Sequence, residues 1–307
     1  MMTKFPTYVL ITPARNEAEF IELTIKSVVG QTVQPLRWVI VSDGSSDGTD
    51  DIVRKYTSDH PWIELLRMPE RSERHFAGKV LAFNAGYERV KDLPYEVVVS
   101  LDADISFEAD YFSFLLQKLA EDQTLGLVGT PFRDPSNFSY DYRFVGVEHV
   151  SGACQVFRRE CFEQIGGYVL AKGGAIDRIA NIASRMKQWK TRTFTEKSYF
   201  HCRPLGRAQD DWLRASLKDG AKDYAVGAHP IWMFFRVFYQ MGKKPYIIGA
   251  LALSWGYVWS YIRGQERPVS CELIEFNRKE QMRRLKRILA GQALRTHSPH
   301  GPISVNR

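Results

Sequence analysis

Only four cysteines, Cys154, Cys161, Cys202 and Cys271, occur in 307 residues, with neither a zinc-ligand spacing nor a secreted disulfide framework. A reducing compartment is expected. The N-terminus, Met1 to Pro6, has one lysine and no apolar stretch with a small-residue cleavage site, so no signal peptide is read there and a cytoplasmic location is expected. No internal repeat is visible. No Gly-x-Gly-x-x-Gly follows the first strand-like run, which argues against a dinucleotide-dependent dehydrogenase.

What is present is apolar and basic. Hydrophobic residues make up 44% of the chain, enough for one large core or two lobes. Lysine and arginine number 42 against 35 aspartates and glutamates, a net charge of +7 that points to an acidic partner. The excess is concentrated late. Between Asn277 and Ile288, Arg278, Lys279, Arg283, Arg284, Lys286 and Arg287 are opposed only by Glu280.

Short β-branched runs alternate with helical patterns through the first half, the order of an α/β fold with a mostly parallel sheet flanked by helices. Tyr8 to Ile11, Trp38 to Val41 and Val97 to Leu101 read as buried strands. Between them, Phe20, Ile21, Ile25, Val28 and Val29 recur at helical spacing, with Asn16 as N-cap and Glu19 three residues on. Thr49 is read as the cap of a second helix. A third follows Gly78, a fourth spans Tyr111 to Leu119, and one after Gly174 carries Ile176, Ile179, Ala183 and Met186 as its apolar stripe. Composition shifts near 224–230. The expected division is a catalytic domain over 1–225, with its donor-binding part at about 5–105 and its acceptor part at about 126–205. A helical, aromatic and basic appendage then covers 226–307.

Ligands of open α/β sheets bind beyond the carboxyl ends of the strands, so the three loops there should converge. They read Thr12-Pro13-Ala14-Arg15-Asn16-Glu17, Ser42-Asp43-Gly44-Ser45-Ser46-Asp47-Gly48-Thr49 and Asp102-Ala103-Asp104. On an extended chain Asp102 and Asp104 would point to one side and present two carboxylates to one ligand. Hard cations such as Mg²⁺ or Mn²⁺ take such oxygens while bridging phosphates.

With these loops in order, followed by Gly78-Lys79, Asn84-Ala85-Gly86, Gly152-Ala153 and Phe162-Gln164-Ile165-Gly166-Gly167-Tyr168, the chain resembles the inverting family 2 glycosyltransferases of GT-A fold over about 5–205. The resemblance implies a donor pocket lined by Pro13, Ala14, Asn16 and Glu17, with Asp43 accepting from the base, most simply a uracil N–H. It implies Asp102 and Ala103 beside the ribose, Lys79 near the phosphates and Gly152 in the acceptor loop. Asp104, and His201 after Tyr199-Phe200, would hold Mn²⁺ or Mg²⁺. The family's base lies in a Glu-Asp pair at a helix start; here Ile176 replaces the first acid, so the role falls on Asp177. Arg203 and Arg207 are loop cations left outside this set.

The resemblance thus implies transfer of a single sugar, from a UDP-linked donor, to a lipid-linked saccharide or other glycan acceptor. The Gln-x-x-Arg-Trp element of the processive synthases is read as lacking, and no series of transmembrane helices is expected. Two other readings compete: a nucleotidyltransferase, whose early Gly-rich loop is missing, and a non-catalytic membrane- or nucleic-acid-binding protein retaining the fold. Retention of both Asp102 and Asp104 argues against the second, and a nucleic-acid partner is not expected. The uncharged run Pro245 to Ile262, bracketed by Lys243, Lys244 and Arg263 and followed by the cationic stretch, suits peripheral attachment to an anionic membrane, on the cytoplasmic face. Its length alone leaves open an interfacial, an inserted or a packed helix.

Overall fold

The first apolar run forms β1 (Tyr8–Ala14), which pairs in parallel with β2 (Arg37–Asp43) on one side and β4 (Val97–Leu101) on the other. β3 (Ile63–Met68) extends the sheet beyond β2. The computed structural model describes residues 5–70, 77–135, 146–171, 173–203 and 212–290. Beyond β4 the sheet continues through β8 (Cys154–Arg158), β6 (Leu125–Gly129) and β9 (Lys190–Thr193), giving the order β3-β2-β1-β4-β8-β6-β9. β8 runs antiparallel to both of its neighbours, the one reversal in the sheet.

Both faces are covered, which is why the central strands are continuously apolar. Tyr8, Leu10, Trp38, Ile40, Val97 and Val99 meet α1 (Ile21–Val29) and α4 (Tyr111–Glu121) on one side. The alternate residues Val9, Ile11, Val39, Val41 and Val98 meet α3 (Ala77–Glu88) and α5 (Arg159–Gln164) on the other. At Gly86 a Cβ would fall 2.7 Å from Ile11 and 2.9 Å from Val41, so the Asn-Ala-Gly motif serves close helix–sheet packing.

A string matching Gln-x-x-Arg-Trp does occur early, at Gln34 to Trp38. It is structural there: Trp38 is fully buried and donates to Thr12 Oγ1, while Gln34 donates to main-chain oxygens of Val29 and Gln31.

A small second sheet orders β5 (Ile105–Ser106), β10 (Tyr199–His201) and β7 (Phe132–Arg133), with His201 opposite Ile105. This pairing carries a distant histidine to the Asp102–Asp104 turn. Four later helices follow α6 (Ile176–Met186): α7 (Trp212–Ala225), α8 (Pro230–Met241), α9 (Tyr246–Ile262) and α10 (Cys271–Leu289). α7 and α9 touch backbone to backbone, because Gly220 lies against the Leu253 carbonyl and Gly256 against that of Leu217. One stripe of α9 is therefore buried, including Ala250, Ala252 and Leu253, while Ile247, Ile248, Leu251 and Trp255 on the other face are exposed. Among the described residues no helix is long and apolar enough to cross a membrane.

Two capping assignments need correction. α1 begins at Ile21 with Phe20 as its cap residue and no side-chain cap; Asn16 lies in a left-handed turn, φ 56°. Thr49 is the first residue of α2 (Thr49–Asp59) rather than its cap, and Asp47 accepts from its N–H and hydroxyl. Both loops spend their polar groups on each other instead.

Candidate active site

The loops after β1, β2 and β4 do emerge at one end of the sheet, at the point where the strand order turns from β1 to β4. The first two are stitched together. Asn16 N–H donates to Ser45 Oγ and its side-chain oxygen accepts from Ser46 N–H, at 3.1 and 2.9 Å. Glu17 N–H donates to Thr49 Oγ1 at 2.8 Å, and Ala18 N–H to Asp47 at 2.9 Å. The first contact is donated by the backbone and the second accepted by the side-chain oxygen, in a left-handed conformation that Asn tolerates better than most residues. Arg15 Nη1 stands 3.7 Å from Asp43, whose carboxylate is nearly buried, and Ala14 is buried so that only its backbone can face a ligand beside Pro13.

At the end of β4 the chain turns at Ala103 and Asp104, so Asp102 and Asp104 do not share one side of an extended triplet as expected; Ala103 is buried. The turn sends the two carboxylates to different partners. Asp102 pairs with Lys79 Nζ, which also donates to the Gly152 carbonyl at 3.3 Å. Burial alone would lower the Lys79 pKa, but Asp102, with Asp177 and Asp104 behind it, raises it and holds the ammonium charged. Lys79 is thus an ion-paired strut rather than a free surface cation.

Asp104 faces His201, with Oδ1 3.7 Å from Nε2. His201 Nδ1 lies 3.1 Å from the Arg203 carbonyl, which can only accept, so Nδ1 carries a proton. A carboxylate and an imidazole nitrogen facing each other across a gap longer than a hydrogen bond are candidate oxygen and nitrogen ligands for a divalent ion. Among the described residues no group of three or more His, Cys, Asp or Glu side chains is placed to hold a metal ion.

Glu17 completes the carboxylate cluster. Its Oε2 accepts from Arg203 Nη2 at 2.7 Å, and Arg203 Nε also reaches to 3.7 Å from Asp104. Burial raises the Glu17 pKa to about 7; Arg203 opposes the rise, and Asp104 and Asp102 add to it. The native state therefore holds a proton that the unfolded chain, titrating near 4.5, has lost, and stability falls as pH rises from 4.5 to about 7. Glu17→Gln is expected to unfold at higher temperature than the parent at pH 8, by of order 1–2 kcal/mol after allowing for solvent screening. The difference should vanish by about pH 4.5, the ordinary value for a glutamate, as read by thermal unfolding across pH.

The loop 146–153 and the start of α6 bring in the last group. Gly174 and Ala175 take φ of 90° and 65°, turning the chain into α6 so that Asp177 falls in its first turn. A Cβ on Gly152 would sit 2.9 Å from the Asp177 Cβ, so only glycine lets the loop lie against that side chain. Asn181 locks the contact, donating to the Asp177 and Val150 carbonyls and accepting from Val150 N–H. His149 Nε2 stands 3.8 Å from Asp177 Oδ2; burial pushes this imidazole down to about 4, with Asp177 opposing, so it is neutral at pH 7.

Of the expected residues, Glu17, Asp104 and His201 are linked through Arg203 and the 3.7 Å approach of His201 to Asp104, and Asp102, Lys79, Gly152 and Asp177 form a second run of neighbours, whereas Pro13, Ala14, Asn16 and Asp43 stand outside both. His149 and Asn181 escaped the sequence reading, since neither lies in a motif. Arg203, set aside as a loop cation, is placed against Glu17, Asp104 and the Phe20 ring. Arg207 lies outside the described residues.

The fold is shared with solved structures. A mannosyltransferase, PcManGT from Pyrobaculum calidifontis in complex with GDP-Man and Mn²⁺, superposes with a TM-score of 0.59 at 22% identity, covering 97% of this chain and 82% of that one. TarS 1-349 of S. aureus superposes at 0.54 with 12% identity, covering 93% and 92%. The fold is that of the GT-A glycosyltransferases. The chain's resemblance is to glycosyl transferase family 2, whose model matches residues 9–146. Chondroitin synthase of Pasteurella multocida (strain Pm70) is 27% identical over 131 residues, 43% of this chain and 13% of that protein. Poly-beta-1,6-N-acetyl-D-glucosamine synthase of Staphylococcus aureus (strain COL) is 31% identical over 117 residues, 38% of this chain and 26% of that protein. The chain therefore aligns with about a quarter or less of the length of these curated relatives.

Proposed function

We propose that this protein transfers a single sugar, with inversion, from a nucleoside diphosphate donor to an acceptor hydroxyl. The observation that carries the reading is Lys79, which joins Asp102, two residues before Asp104, to Gly152, which lies against Asp177. Asp104 and His201 would hold Mn²⁺ or Mg²⁺, which when bound supplies positive charge to a departing diphosphate. Mn²⁺ stands beside GDP-Man in the Pyrobaculum structure, and the donor here is proposed to be UDP-linked, with Asp43 accepting from the base. Asp102 and Lys79 border the ribose and phosphates, while Arg203 is close enough to Asp104 to share the diphosphate charge.

Asp177 takes the proton of the acceptor hydroxyl as its oxygen bonds to the anomeric carbon. The carbon–oxygen bond to the diphosphate breaks on the opposite face, which inverts the centre. A neutral His149 behind Asp177 orients the carboxylate without draining its charge. Expected on mixing with Mn²⁺, UDP- or GDP-sugars and glycan acceptors is acceptor-dependent release of nucleoside diphosphate. Absence of release together with absence of any Mn²⁺-dependent thermal shift by UDP or GDP would refute the reading.

The acceptor is proposed to be a lipid-linked saccharide met at the cytoplasmic face of an anionic membrane. Supporting this, the hairpin of α8 and α9 exposes Phe234, Phe238, Ile247, Leu251 and Trp255, and Lys244 and Arg263 flank α9. Arg278, Lys279, Arg283 and Lys286 of α10 line a groove with His229 just ahead of α8. The protein should float with anionic vesicles at low salt and be left behind when Ile247 and Leu251 are both changed to aspartate. Equal flotation of that variant would discard the attachment.

A further inference from the structure

Asp223 of α7 is 2% exposed, and a carboxylate so deeply buried is tolerated only when paired. Its partners come from two other elements. Arg178 Nη1 of α6 donates to Oδ1, and Arg236 Nη1 of α8 donates to both oxygens. Two guanidiniums thus share one carboxylate, and the trio carries one net positive charge. Among the described residues the Nε and Nη2 groups of Arg178 and Arg236 have no hydrogen-bond acceptor, and the two side chains remain 30% and 21% exposed. Two further acids, Asp177 and Asp219, lie near Arg178, and Asp219 is itself placed 3.6 Å from Lys222.

The position of this pair is as specific as its chemistry. Arg178 directly follows Asp177 in the first turn of α6, where the helix dipole adds further positive potential. Arg236 sits on the same helix as Phe234 and Phe238 of the exposed hairpin. An acceptor with its hydroxyl at Asp177 and an apolar chain on the hairpin would carry its connecting group past these two guanidiniums.

We propose that Arg178 and Arg236, fixed by Asp223, form a phosphate-binding site for the acceptor, between Asp177 and the exposed hairpin. The proposal rests on the glycosyltransferase reading and deepens it by naming the acceptor as phosphate-bearing. Planar guanidinium forks held by a carboxylate behind them match the oxygens of a phosphate ester, and their free N–H groups are directed donors rather than diffuse charge.

The test titrates the full chain with decyl phosphate, decyl maltoside and inorganic phosphate, below micellar concentrations, reading tryptophan fluorescence. Decyl phosphate should bind at least about tenfold tighter than decyl maltoside, the worth of one hydrogen bond to a charged group. Arg178→Gln and Arg236→Gln should each weaken it by about tenfold or more. Arg178→Lys and Arg236→Lys, which keep the charge facing Asp223, should fold normally and still lose affinity because the fork is gone. Tighter binding of decyl phosphate than of inorganic phosphate assigns the site to a lipid phosphate; equal binding assigns it to a soluble phosphate ester. Equal affinity for decyl phosphate and decyl maltoside, or undiminished binding by lysine variants that melt like the parent, overturns the site. Mn²⁺-dependent UDP or GDP binding, followed in the same samples, reports separately on the glycosyltransferase reading.

Discussion

Asparagine in place of Asp177 is expected to lower turnover by about 10²- to 10⁴-fold, the usual worth of a positioned general base, while leaving donor affinity unchanged. The substitution keeps the side chain's size, so the tight contact with Gly152 and the Asn181 bond to the residue 177 carbonyl both survive. What is lost is a group able to take the acceptor proton. His149 cannot substitute for it, because burial holds its pKa at about 4. Initial rates and donor titration on the folded variant separate the outcomes: near-normal turnover refutes the base assignment, whereas lost donor binding would show that Asp177 serves the nucleotide side.

Alanine in place of Asp104 is expected to remove metal-dependent donor binding and turnover together. The variant leaves His201 facing an empty gap and frees Arg203 from one of its two carboxylates, keeping only Glu17. Charge stabilisation by a bound cation is worth several kcal/mol, so turnover should fall at least about 100-fold. Raising Mn²⁺ should not restore it, since one remaining histidine is a poor site for a hard ion. Calorimetric titration of UDP or GDP with and without Mn²⁺ is the direct measurement. A metal-dependent increment equal to that of the parent would dissolve the assignment of Asp104 and His201.

The expected strands at Tyr8, Trp38 and Val97 were legible because a strand covered on both faces must be continuously apolar, and few other short segments are. The carboxylate loops were legible because they sit at the ends of those strands, where sheet geometry gathers ligands. The helix starts were misread at Asn16 and Thr49 because one polar side chain can cap a helix or tie two loops together. That choice depends on what arrives from elsewhere in the chain. His201 lies far along the chain from Asp104 and meets it only through the pairing of β10 with β5. Arg203, His149 and Asn181 acquire meaning the same way, by the neighbours packing gives them. By itself the sequence determined the layered α/β frame, the end of the sheet where chemistry gathers, and an uncharged apolar segment with a cationic stretch after it. Only the tertiary structure decided which charges pair: Lys79 with Asp102, Arg203 with Glu17, and Asp223 between two arginines. The reason is physical: periodicity is a local property of the chain, whereas the pairing of charges depends on distances of a few ångströms that only packing sets.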